Sequence, residues 1–172
     1  MMITPLLILV LLTFPLGTAA LYSRMSNRSI NLEAAGRFGL AFAFFFFASG
    51  HFLMTESMAL MLPPWVPIRV PLVLLTGILE IAIAIGLILP NSRRFAAWTA
   101  AVILVAFFPA NVYAAWQQVP MGGHAWGLVY LWIRTPLQIV LLLWTWRFGL
   151  ERSLSLRGIS GKSASNTPRA NR

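Results

Sequence analysis

Five runs of apolar residues, at 3–21, 32–54, 70–89, 95–116 and 125–146, follow one another along this chain with only short breaks between them. Roughly 20 such residues are what a helix needs to cross the hydrocarbon core of a bilayer. In lipid every backbone N–H and C=O must be paired within the segment, so each run is read as a helix and the chain as an all-α, multi-pass membrane protein. Composition points the same way. Of 172 residues 59% are hydrophobic and 10% charged, where a soluble domain carries about 25% charged residues. A chain this short has no way to bury so much apolar surface from water, and the bilayer itself becomes its first partner.

The basic residues give the runs a direction. Arg24 and Arg28 follow the first run, Arg69 stands alone before the third, Arg93 and Arg94 precede the fourth, and 117–124 holds no Lys or Arg. Six of the thirteen basic residues fall in 147–172. Positive loops stay inside, so the N-terminus is placed outside and the tail in the cytoplasm. The net charge of +9 flanks apolar runs and forms no folded basic surface, which argues against nucleic acid as a partner. The first run ends in small residues, as a signal peptide does. It lacks a basic n-region and is followed by arginines, so it is read as a retained span. The segment "MTESMALMLPPWVPIRVP" is too apolar for an ordinary loop and too proline-rich to span, and reads as an interfacial or re-entrant cap. Residues 151–172 lack apolar periodicity and read as a disordered, basic cytoplasmic tail.

Orientation converts sequence position into depth. At 1.5 Å per residue, Glu80 in "TGILEIAIAIGLILP" lies roughly 12–15 Å below the outer boundary, and Arg134 and Gln138 roughly 10–20 Å below it. His51 and Asn111 approach the same boundary from the other direction. Polar side chains from four spans thus share the outer half of the membrane. Thr76, Gly77, Glu80 and Ala84 fall on one stripe of the third span, and its small residues allow a close helix neighbour. Tyr130, Arg134 and Gln138 form a similar stripe, and Pro109 and Pro136 interrupt the ladders nearby. Alone in lipid, Glu80 or Arg134 costs about 2.5–3.5 kcal/mol. A Glu80–Arg134 contact, with Gln138 or Asn111 completing the hydrogen bonds, is therefore expected.

Two roles fit that cluster: a clasp that fixes helix register, or an outward-facing pocket for a ligand headgroup or a proton. His51 by itself reads as a hydrogen-bonded helix-end residue and His124 as a solvated loop residue. Two histidines without carboxylates at ligand spacing make no metal site. Trp65, Trp116 and Trp126 read as an interfacial belt. With no cysteine, thiolate zinc sites, iron–sulfur clusters and disulfide exchange are excluded. No nucleophile–base pair or phosphate loop is present, so the catalytic residues stay unknown and an enzyme is not the favoured reading.

Five short blocks, "SGHF" (49–52), "PPWVP" (63–67), "TGILEI" with "GLILP" (76–81 and 86–90), "FPANV" (108–112) and "RTPLQ" (134–138), together resemble the DoxX-like family of small bacterial membrane proteins. The resemblance covers spans two to five and implies a four-helix transmembrane core, to which the first span is an extra N-terminal helix. It divides the chain into 1–31 (N-terminal helix and basic cytoplasmic loop), 32–150 (DoxX-like membrane domain) and 151–172 (tail), in the bacterial cytoplasmic (inner) membrane. His51, Thr76, Glu80, Asn111, Arg134 and Gln138 are the expected polar cluster, binding a small amphipathic ligand or a partner subunit. What the resemblance implies for cofactors is a quinone at most, in a membrane subunit of a quinone-linked oxidoreductase complex with a redox partner. A small proton-linked transporter is the third reading, and a homo-oligomer stays open.

Overall fold

The structure, a computed structural model, describes residues 3–26 and 31–151. Among them every regular element is helical: α1 (Ile3–Ser26), α2 (Leu32–Leu53), the short α3 (Thr55–Ala59), α4 (Arg69–Ile88), α5 (Arg93–Trp116), a 3₁₀ segment (His124–Tyr130), α6 (Leu131–Trp144) and a closing π turn (Thr145–Leu150). The last three adjoin one another, with a kink at Gly127, and with them five helical stretches are long and apolar enough to cross a membrane. The expectation for 152–172, and for the loop at 27–30, lies outside the described residues.

Local chemistry explains where these helices start and stop. The Asn31 side chain accepts the Ala34 N–H at 3.0 Å and caps α2, with Glu33 in the first turn facing the positive end of the helix dipole. Pro71 enters α4 in its first turn, where no N–H is required. Ile68, just before it, takes φ 48°. That is uncommon for a β-branched residue, and it turns the chain sharply out of the proline-rich segment. This segment, expected as a cap, contains α3 and then turns, with Trp65 fully outward. The last stretch is longer than the apolar run suggested because its ends are wound differently. A 3₁₀ turn kinks at Gly127, and a π turn carries the helix on to Leu150.

Buried Leu40, Phe44, Ile83, Leu87, Ala97, Ala100, Leu104, Leu137 and Leu141 make one core shared by α2, α4, α5 and α6. α1 adds Ile8 and Leu12 to it, and otherwise lies open on most of its surface. What holds α1 is Gly39 of α2. A Cβ there would run into the backbone of Leu12, so the two helices meet backbone to backbone as only glycine allows. α2 ends where α4 begins, α5 ends there too, and the 3₁₀ segment and α6 start there. This is the capped end of the bundle.

A buried polar layer as the candidate functional site

The last turn of α2 lays His51 across the first turns of α4. Val73, Thr76, Gly77 and Glu80 share one face of α4 by i, i+3, i+4 and i+7 spacing. Gly77 has no side chain, and the His51 Cβ occupies that space: a Cβ on Gly77 would stand 2.7 Å from it. The imidazole is thereby fixed on both sides. Nδ1 lies 2.7 Å from the Val73 carbonyl and 3.1 Å from the Thr76 hydroxyl oxygen. Nε2 lies 3.4 Å from Oε2 of Glu80. The Phe107 ring covers the imidazole from α5 at 6.0 Å between centroids. His51 is 8% exposed and Glu80 2%.

Donor bookkeeping then determines the chemistry of the pair. A carbonyl oxygen only accepts, so Nδ1 carries the proton it gives to Val73. In the neutral ring Nε2 is therefore a lone pair, facing a carboxyl oxygen. Two lone pairs repel, so the contact holds one proton, on Nε2 or on Oε2, and the pair as a whole carries no net charge. The geometry is bent: Oε2 sits at ion-pair distance yet accepts no well-formed hydrogen bond.

The expected Glu80–Arg134 contact is not the one formed. No carboxylate among the described residues lies within 4.0 Å of Arg134, and Glu80 meets His51 instead. The reason is the close α2–α4 approach at Gly77, which brings the imidazole to the carboxylate first. Arg134 remains within electrostatic reach of Glu80, Tyr130 and His124. Its Nε is sealed from solvent without a hydrogen-bond partner. Asn111 and Gln138 do not complete that contact either. Asn111 Nδ2 donates to the Phe107 carbonyl of its own helix at 2.8 Å, and Gln138 Nε2 donates across to the Leu104 carbonyl of α5. Both serve the stretch of α5 that Pro109 interrupts, where a lost N–H loosens the ladder. Of the six expected residues, Thr76 and Glu80 each touch His51, whereas Asn111 and Gln138 are buried and their amide nitrogens bond to backbone.

His124 is the residue read wrongly from sequence. It is 4% exposed, not solvated. Its Nδ1 gives its proton to the Met121 carbonyl at 2.8 Å, the ring packs edge-on to Tyr130 at 4.9 Å, and Nε2 is buried without a partner. Gly122 and Gly123, at φ 60° and 106°, fold the chain back so that His124 turns inward. A Cβ on Gly123 would meet the Tyr130 ring. The signal was there in the paired glycines and in the Tyr130–Arg134–Gln138 stripe, but not in His124 itself.

No curated protein and no solved structure matches this chain. One family model does, over residues 40–149, from the middle of α2 to the closing π turn. The match takes in the polar layer whole, leaves out α1 and covers well over half of the chain. The chain belongs to the family described as Domain of unknown function (DUF8561).

Proposed function

We propose that this chain is a multi-pass protein of the bacterial cytoplasmic membrane, and that its buried polar layer binds the polar head of a small amphipathic molecule. Spans two to five form its four-helix transmembrane core, α1 is an added span, and the capped end faces outward. DoxX-like kinship belongs to the same proposal and rests on the five sequence blocks. One observation carries the binding reading. Glu80 Oε2, His124 Nε2 and Arg134 Nε are all buried at the capped end, and none has a hydrogen-bond partner. Buried polar groups are nearly always paired, and intramembrane ionisable residues mark functional sites by default. A polar head that donates to the carboxyl oxygen and accepts from the guanidinium satisfies the layer.

Native mass spectrometry of the protein released from its own lipids tests this. Wild type should carry a retained small molecule. Glu80→Gln commits the carboxyl position to His51 as an amide and should lower that retention several-fold, whereas Thr13→Ala, on the open face of α1, should not. No retained molecule in wild type would sink the reading. Orientation has its own test, because the chain has no cysteine. An impermeant thiol reagent added outside intact cells should label Gln117→Cys, next to the capped end, and spare Asn91→Cys, at the opposite turn. The reverse pattern would invert the topology.

A second reading, a membrane subunit of a quinone-linked oxidoreductase, is favoured by the one-proton His51–Glu80 pair. The residues present suit a quinone oxygen: Arg134 Nε is a free donor, and the pair holds a proton beside it. When bound, a quinone would supply the electron chemistry, with a partner subunit as the electron source. The role of this chain would be to orient the ring and hold the proton.

A further inference from the structure

We infer that the head recognised at the polar layer is an oxyanion, a carboxylate or phosphate on an apolar tail, and that Arg134 is the residue that binds it. This rests on the binding reading above and deepens it. The charge distribution argues for it. The chain has four acidic residues, all glutamates. Glu33 opens α2 at the far end, Glu56 is exposed in α3, and Glu151 pairs with Arg147 at 3.3 Å. Glu80 is therefore the one carboxylate of the layer, and its 3.4 Å pairing with His51 leaves the two together without net charge.

Arg134 is what that leaves. A guanidinium keeps its charge, so the layer as it stands is a site of net charge +1. The Arg134 Nε–H is sealed off and donates to nothing. Arg134 is half-buried, but its Nε–H is cut off from solvent with no carboxylate in contact, which is costly, and a planar fork of N–H donors fits a carboxylate or phosphate better than any neutral head. Tyr130 and His124 lie within electrostatic reach of the same guanidinium. The tail follows from the surroundings. Leu128, Val129 and Trp132, within two turns of Arg134, are all exposed, so an apolar chain leaving the layer meets only hydrocarbon.

The test uses the full chain in phosphatidylcholine nanodiscs and counts bound molecules by native mass spectrometry. The four probes are palmitate, hexadecyl phosphate, hexadecanol and inorganic phosphate. Palmitate and hexadecyl phosphate should each bind at least about tenfold more tightly than hexadecanol, the margin expected of one charge-assisted contact. Inorganic phosphate at the same concentration should leave no adduct. Arg134→Gln should abolish the preference for the anions, and Arg134→Lys should keep part of it. Equal binding of palmitate and hexadecanol to wild type overturns the oxyanion assignment while the amphiphile reading stands. Inorganic phosphate binding as well as hexadecyl phosphate overturns the tail. If none of the four binds and wild type retains nothing from its own lipids, both readings fail together. The wild-type comparison decides the matter even where Arg134→Gln fails to fold.

Discussion

Glu80→Gln should leave the bundle nearly as stable as wild type, while Glu80→Leu and His51→Leu should each cost about 3–5 kcal/mol, the loss expected when one partner of a buried pair is removed. The difference follows from the single proton between the two side chains. His51 Nδ1 gives its hydrogen to Val73, so Nε2 needs a donor from Glu80. A glutamine amide is such a donor at the same reach, and it keeps the contact neutral. Leucine at 80 strands Nε2, and leucine at 51 strands a carboxyl group that is 2% exposed. The double substitution His51→Leu/Glu80→Leu removes both polar groups and should be more stable than the sum of the two single losses allows, which is the mark of direct coupling. Denaturation of the four variants in one detergent, read as a double-mutant cycle, checks this. If Glu80→Gln falls as far as Glu80→Leu, the proton of the pair sits on Nε2, as an imidazolium facing a carboxylate, and not on Oε2.

The helices were legible because apolar run length is a one-dimensional property. Runs at 32–54 and 70–89 come within a residue of α2 and α4, whose ends are set by a capping Asn31 and by Pro71. The fifth run missed its true ends because 3₁₀ and π winding depend on how Gly127 and the Thr145–Leu150 turn pack, not on hydropathy. Level along the helices was legible in part. Rise per residue groups His51, Glu80, Asn111, Arg134 and Gln138, and of these His51 meets Glu80 with Arg134 within electrostatic reach, while Asn111 and Gln138 bond to backbone.

What counting along the axis cannot supply is direction around it. Glu80 had two partners of suitable depth, and pairing by formal charge selected Arg134. The structure selects His51, because the absent side chain of Gly77 lets α2 approach more closely than α6 does. In the sequence Gly77 signals close helix packing. Its consequence for the Glu80 partner needs the rotation of α2 about its own axis, which no periodicity in that run reveals. His124 failed for a related reason. Its burial depends on two glycines at positive φ that reverse the chain onto Tyr130, and a Gly-Gly pair in sequence states that a turn exists, not which way it closes.

Gly77→Val is therefore the substitution expected to hurt the layer most without touching a polar atom. Even the first carbon of a side chain at 77 would stand 2.7 Å from the His51 Cβ and 3.2 Å from the Phe52 ring, so α2 and α4 must part. Overpacking of this kind costs about 1–3 kcal/mol for the first carbon and more for a branched residue. In this bundle the strain falls on the contact between His51 and Glu80, already 3.4 Å and bent. Parting the helices frees the carboxyl group from its proton partner, and Glu80 then faces Arg134, the only cation of the layer within its electrostatic reach. Gly77→Ala should lower thermal stability measurably, and Gly77→Val should lower it further and abolish retention of the proposed amphiphile. Adding Glu80→Gln to Gly77→Val separates the two contributions. It should recover part of the stability, because a neutral amide parted from His51 costs less to bury than a carboxylate, but none of the retention. Full recovery of retention in that double variant would show that the layer needs no fixed His51 position, and that the close α2–α4 approach serves packing alone.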